Sequence, residues 1–351
     1  MSMKNLNLSL FGIIACCILG ASPALSQAVK YAQSGLSYLQ IAPSADVAAL
    51  GGTYAATTGK ASSAFSNPAG LALLEGADVS AGYVAWIADI ALYSVAAAYS
   101  IDKIGVFGVN LVSMDYGTLR GTRPWQSGDD PALRDQGYID LGNFTVNDFA
   151  IGISYGRSIT PQFFVGGNVR YARQDLSPNI NVAIIDAITG NIIDNSENVV
   201  TNIVFDFGTL YYPGFHDLRF GASVRNFSNQ SDYFDQRFEL PLTLDFGVAM
   251  DVLQAFQNSS GSGNSKLTLA LDWVHPRDYS ERLHVGVEYG FIDMFFLRGG
   301  YKLNYDEEGL TAGLGVHLQT GGYGLRADYA YSAFGDFFGS VNRLSVSLLM
   351  N

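Results

Sequence analysis

Acid–base or metal chemistry in this chain would have to draw on four histidines, His216, His275, His284 and His317. No two of them stand at His-x-His or His-x-x-x-His spacing, the patterns that place two imidazoles on one metal ion. Nucleophilic chemistry would need a serine beside a histidine, and His275 with Ser280 is the nearest such pair. Neither a Gly-x-Ser-x-Gly elbow nor a phosphate-binding glycine loop occurs. Both cysteines, Cys16 and Cys17, fall in an apolar N-terminal run, which leaves the rest of the chain without thiols or disulfides. We therefore expect a protein that is not an enzyme and carries no cofactor.

Other charged residues alternate with apolar ones and suggest a different use. Asp206, Arg219, Arg225, Asp245, Glu288, Arg298, Arg326, Asp328 and Arg343 each sit on the polar side of a period-two stretch. In KLTLALDWV (266–274), Leu267, Leu269, Leu271 and Trp273 share one face, and Thr268, Ala270 and Asp272 the other. The same reading holds at 283–289, 310–319 and 323–331, where greasy faces rimmed by Tyr or Trp oppose small, polar or charged ones. His284 and Glu288 fall on one polar face, too far apart along a strand to bond. Such charges are expected to point inward, pair across strands and hold whatever fills the interior.

Alternation also fits a soluble sandwich, so composition and length must arbitrate. Charged residues are only 15% of the 351, against 48% hydrophobic, with 39 glycines. Typical globular chains are roughly 25% charged. No helix-length apolar run follows residue 30, which excludes a helical membrane protein. The strands run longer than the ~5–6 residues usual in globular sheets. These features predict an all-β transmembrane antiparallel barrel of about 14 strands, at 77–86, 89–101, 104–115, 144–158, 161–174, 200–212, 217–228, 241–252, 265–275, 281–290, 293–304, 308–319, 322–332 and 340–350. Short turns then alternate with the long loops 116–143, 175–199 and 229–240, apart from the flexible 253–264.

Residues 1–26 read as an export signal, with Lys4 before the apolar 8–19 and Ala24-Leu25-Ser26 as a cleavage site. A buried helix and a lipoprotein signal ending at Cys16 are the alternatives. Export places the barrel in the cell outer membrane, with lipid around it. A net charge of −12 argues against nucleic acid as a partner. Residues 27–76 are small-residue-rich and weakly periodic, too poor in large hydrophobes to fold alone. An N-terminal plug inside the barrel of 77–351 would suit them. In FSNPAGLALLEG (65–76), Asn67-Pro68 favours a turn, Ala69 and Gly70 allow close packing, and Leu71 can lean on the wall. An ordinary turn before the first strand is the plainer alternative.

An N-terminal Asn-Pro-Ala-Gly-Leu segment followed by fourteen strands resembles the FadL-like outer-membrane barrels, and within them the PorV/PorQ family of the type IX secretion system. The resembling stretches are 38–53 (YLQIAPSADVAALGGT), 67–71 (NPAGL), 86–93 (WIADIALY) and 208–228 (GTLYYPGFHDLRFGASVRNFS). Asp46, Ser66, 57–60 and the terminal Asn351 depart from the family pattern. The resemblance implies a non-enzymatic barrel that binds or escorts secreted cargo, with translocon or attachment-complex proteins as partners. The alternative it implies is a FadL-like channel for hydrophobic small molecules. In such channels a kinked third strand opens sideways, and 104–115 has Gly105 and Gly108 but no proline. Partner contact would run through outer loops. In AFGDFFG (333–339), Phe334, Phe337 and Phe338 are expected to be exposed for that purpose, or else to cluster over the barrel mouth. Trp125 is expected to anchor its own loop.

Overall fold

The computed structural model describes residues 34–55, 59–176, 184–185, 192–194, 199–233, 236–253 and 265–350. The expected signal at 1–26 and most of the 253–264 loop lie outside the described residues. Fourteen strands close into one antiparallel barrel. They are β1 (Ala77–Ala85), β2 (Ala91–Ile101), β3 (Gly105–Asp115), β4 (Asn147–Thr160), β5 (Phe163–Asp175), β6 (Val199–Tyr211) and β7 (Arg219–Phe227), then β8 (Thr243–Asp251), β9 (Ser265–Pro276), β10 (Arg282–Phe291), β11 (Phe295–Leu303), β12 (Glu308–Thr320), β13 (Tyr323–Phe334) and β14 (Ser340–Met350). Each pairs with its neighbour in chain order. β14 closes on β1, with Met350 opposite Ala77 and Asn342 opposite Ala85.

These are the strands that period-two alternation predicts. The largest shift of a start is at β4, expected from 144 and observed from 147. Three short hairpins outside the barrel were not expected. They pair Leu119–Pro124 with Tyr138–Phe144, Ile184–Ile185 with Ile192–Asp194, and Ser231–Tyr233 with Gln236–Phe238. Segments this short, with no sustained greasy face, leave no periodic trace.

The outer face of the ring is apolar. Val95, Leu111, Ile151, Ile153, Val169, Ile203, Leu297 and Leu314 all stand exposed around the wall. Tyr83, Tyr93, Tyr171, Trp273, Tyr301 and Tyr331 form a belt near the long-loop end, and Tyr99, Phe107, Phe163, Tyr211, Phe295 and Tyr323 another near the short-turn end. Two aromatic girdles around an apolar band are the surface a bilayer requires.

The third strand is not kinked. β3 pairs without a register shift with β2 along one edge and with β4 along the other. Gly108 sits inside an intact ladder, and Gly105 takes its positive φ at the strand's first residue. A register shift does occur between β6 and β7 beside Asn226, which holds φ 60°. The unfavourable backbone there is tied down. Asn226 N donates to Asp206 (2.8 Å), Arg170 donates to the Asn226 side chain (2.6 Å), and Arg170 also pairs with Asp206 at 2.8 Å.

Residues of the segments 34–55 and 59–76 contact the inward positions of the wall. Glycines on two opposite arcs of the ring make room for them. On one arc, a Cβ at Gly166 would lie 2.3 Å from Pro68, and one at Gly208 would lie 1.9 Å from Asn67. On the other, a Cβ at Gly300 would lie 2.3 Å from Gly51 N, and one at Gly313 would lie 2.4 Å from Ala49. The segment therefore reaches across the lumen from β4–β6 to β10–β12, backbone against backbone.

Gly300→Val should force this contact apart, at a cost of about 1–3 kcal/mol for overpacking. The adjacent Gly299 points outward and has open space around its Cβ, with Thr311 O the nearest atom at 3.9 Å. Gly299→Val should leave the unfolding temperature in detergent near that of the parent, whereas Gly300→Val lowers it and exposes 34–76 to protease. Equal behaviour of the two variants would contradict this arrangement.

Candidate functional site

The Asn-Pro-Ala-Gly-Leu motif is a buried 3-10 turn, Pro68–Leu73, seated on the wall. Asn67 precedes it as cap, its side-chain oxygen accepting from Ala69 N at 3.1 Å. Its amide nitrogen donates to Ala55 O (2.7 Å) within the segment and to Thr209 O (3.1 Å) on β6. Pro68 supplies the fixed φ that suits a first helical position. Ala69 packs with Phe164 and Leu210. Gly70 accepts from Gly59 N at 2.8 Å, and Leu71 lies in a cluster with Ala64, Ala96, Ala98 and Val106. All five are buried, so they act by holding the segment, not by meeting a ligand.

Inward charges complete the seat. Asp272 accepts from Tyr54 N and Ala55 N, both at 2.8 Å, and Asp78 accepts from Ala61 N at 2.8 Å. Arg343 donates to Ala42 O at 3.1 Å, and Thr311 donates to Ala49 O at 2.9 Å. Asn168, on β5, joins Asp206 (3.0 Å) to Ala64 O (3.2 Å). Cross-wall pairs brace the same layer, Arg225 with Asp245 (3.0 Å) and Arg298 with both Glu288 and Asp328 (2.6 Å each). Within the segment, Asp46 bonds Lys60 and Ser44. Burial alone would raise the Asp46 pKa, but the Lys60 and Arg298 charges and the hydrogen bonds from Lys60 and Ser44 together outweigh it and hold the carboxyl well below the usual range. Arg219 pairs with Asp217 beside it (2.6 Å), and among the described residues Arg326 makes no ion pair.

Above this layer, at the long-loop end, lies a cavity of about 360 Å³. Its floor is Tyr38, Ile41, Ala48, Gly52 and Tyr54 from the segment. Its walls are Trp86, Ile90, Met114, Tyr116 and Arg343 on one side and Arg282, His284, Lys302, Tyr305 and Glu308 on the other. Tyr305 stands in the β11–β12 loop and organises the polar side. Its hydroxyl lies 2.8 Å from His284 Nε2, and the His284 Nδ1 lies 3.1 Å from Gly52 O. With Nδ1 donating and Nε2 accepting, a neutral imidazole satisfies both bonds. Burial pushes the Tyr38 and Tyr305 phenols up, which keeps both as hydrogen-bond donors. Arg282 stacks on the Tyr305 ring at 3.9 Å, and Arg343 lies 5.7 Å from the centre of the Trp86 ring.

The rim corrects one expectation. Phe334 is not an exposed loop residue. It ends β13, is only 5% exposed, and meets Trp86 edge-on at 5.1 Å as part of the main core. The period-two face of β13 runs one register further than 322–332, and inward position 334 needs a hydrophobe to close the wall over Trp86. Phe337, 87% exposed, and Phe338, 43% exposed, do stand free on the short turn Gly335–Phe338. Trp125 bonds its own loop, through Asp130 O at 3.0 Å.

The histidines stay apart. His275 lies 3.4 Å from Glu281, and His317 lies 3.4 Å from Asp328. Among the described residues, no three His, Cys, Asp or Glu side chains group as metal ligands. The cavity residues Tyr38, Tyr54, Arg282, Lys302 and Tyr305 went unnoticed in sequence. Arg282 and Tyr305 flank strand ends, and no spacing signals that four strands and the N-terminal segment bring these side chains together. Arg170 and Asn168, by contrast, sit two apart on the polar face of β5, where period two would have found them.

No family model and no curated protein matches the chain. Solved structures do. The toluene transporter TbuX of Ralstonia pickettii aligns with a TM-score of 0.52 at 15% identity, covering 87% of this chain and 97% of its own. The Pseudomonas putida toluene transporter TodX aligns with a TM-score of 0.54 at 12% identity over 87% and 97%. A Pseudomonas aeruginosa FadL homologue gives 0.50 at 13% over 92% and 99%. The fold is that of the FadL-like outer-membrane barrels.

Asn67→Ala would strand the carbonyls of Ala55 and Thr209 and the Ala69 amide in a buried layer, at about 1–3 kcal/mol for each group left unpaired. The unfolding temperature should fall, with Asn67→Asp, which keeps the cap acceptor, intermediate. An unchanged melt for Asn67→Ala would show that the turn does not hold the segment.

Proposed function

We propose that this protein is an outer-membrane barrel that binds a hydrophobic small molecule at its long-loop end, in the manner of FadL-like channels. The cavity over residues 38–54 carries this reading. It is lined on one side by Trp86, Ile90, Ile41 and Met114 and closed below by a segment held through side-chain bonds to the wall. The likeness to TbuX and TodX, both solved as toluene transporters, supports the same reading. With Trp125 and Trp273 replaced by Phe, Trp86 becomes the reporter. A brominated ten-carbon alcohol should quench it saturably in amphipol-held protein, and the unbrominated alcohol should reverse the quenching. Linear, unsaturable quenching would refute a binding cavity.

A second reading, the PorV/PorQ-type role in type IX secretion, is favoured by different observations. β3 offers no sideways opening, and Phe337 with Phe338 presents bare aromatic surface at the rim, the kind of patch that marks a protein contact. A photocrosslinking residue at 337 should then trap secreted proteins that share a C-terminal sorting domain, or a translocon subunit, in living cells. Recovery of neither from abundant protein would dismiss this role.

A further inference from the structure

The cavity is charged out of keeping with the chain around it. The protein carries a net −12, yet the ionised residues lining this space are Arg282, Lys302 and Arg343 against Glu308 alone. Glu308 is taken up by Lys302, to which it is bonded. His284 adds no charge, since its two ring bonds suit the neutral form. That leaves two guanidinium groups with no carboxylate partner among the described residues. Arg343 is 3% exposed and makes its bonds to neutral groups, Ala42 O and Ser332 (2.9 Å). Arg282 lies between the rings of Tyr279 (4.2 Å) and Tyr305 (3.9 Å), and its Nε is buried without an acceptor.

A desolvated cation without a counter-charge is costly unless something neutralises it, and Arg343 is fully buried while Arg282 is half-buried with its Nε sealed from solvent. The lumen shows elsewhere how this chain treats a buried arginine, since Arg170, Arg225 and Arg298 each have an aspartate. Arg282 and Arg343 depart from that habit where they line a cavity that could admit a ligand, whereas Arg326, also without an ion pair among the described residues, does not line it. Beside Arg343, whose guanidinium lies 5.7 Å from the centre of the Trp86 ring, Trp86, Ile90 and Met114 give the same space an apolar surface for a hydrocarbon body.

We propose that the cavity selects an amphiphile with a doubly negative phosphoryl head, the head between Arg282 and Arg343 and the apolar body against Trp86, Ile90 and Met114. Two uncompensated positive charges call for two negative ones. Guanidinium forks match phosphate oxygens in geometry as well as charge. This deepens the small-molecule reading above and rests on it.

The test is competition against the brominated alcohol at Trp86, at pH 8, with decyl phosphate, decanoate and decanol as probes. Decyl phosphate should compete at least tenfold more tightly than decanol, with decanoate between them. Arg282→Gln, which removes contacts to Tyr279 and Tyr305 but no hydrogen bond to the segment, should reduce the phosphate advantage several-fold and leave decanol unchanged. Arg282→Lys should restore part of it, and Arg282→Gln with Arg343→Gln should abolish it. If the alcohol binds saturably but the three probes compete equally, or decanoate matches decyl phosphate, the head-group proposal fails while the binding cavity stands. If nothing quenches saturably, the small-molecule reading falls first.

Discussion

Hydrocarbon offers no partner to a peptide group, and the rest of the structure depends on that fact. A sheet in lipid must close on itself, because each unpaired amide on a free edge would cost several kcal/mol. Here closure comes from Ala77–Ala85 pairing with Asn342–Met350, the first strand with the last. Once the ring is closed, alternation decides the remainder. Residues of one parity become lipid-facing, and those of the other line a lumen sealed from solvent on all sides but two. Polar side chains placed there cannot rely on water and must find each other or find something inserted among them.

The N-terminal segment answers that need, and its composition follows from how it fits. A chain crossing a lumen this narrow has no space for large side chains at its points of contact. It meets the wall through Asn67, Pro68, Ala69, Ala49 and Gly51, and the wall answers with Gly166, Gly208, Gly300 and Gly313. Backbone groups brought that close are then bonded by inward side chains, among them Asp272, Asp78, Thr311 and Arg343. The Asn-Pro-Ala-Gly-Leu turn is one of several such contacts, distinguished by an asparagine that caps its own turn while tying two other segments together. What the segment does not fill becomes the cavity at the long-loop end, and the charges left over there are the ones without a partner.

How much of this could be read from the residues depends on distance along the chain. Strand positions follow from a local pattern of alternation, which is why KLTLALDWV and its neighbours locate the wall almost to the residue. Inward charges are legible for the same reason, as Arg225, Asp245 and Arg298 show. Phe334 misleads because a phenylalanine beside a glycine-rich turn looks like loop, whereas its partner, Trp86, lies nearly 250 positions earlier. Arg282, Lys302, Tyr305 and Arg343 meet only through the register of β10, β11 and β14, and no short-range signal encodes that meeting. The small hairpins of the loops are equally silent, since strands of two to seven residues without a sustained apolar face have no period to detect.

The central claim is that residues 53–55 and 59–70 are bonded inside the closed ring as firmly as the wall itself. Hydrogen exchange on the detergent-folded protein measures this directly. The amides of Tyr54, Ala55, Ala61 and Ala69 donate to Asp272, Asp78 and Asn67, so peptides covering them should exchange as slowly as those of β9 to β11. Exchange at the earliest labelling time, as fast as in the 116–146 loop, would mean that the segment lies outside the lumen and that the account of the cavity above it is wrong.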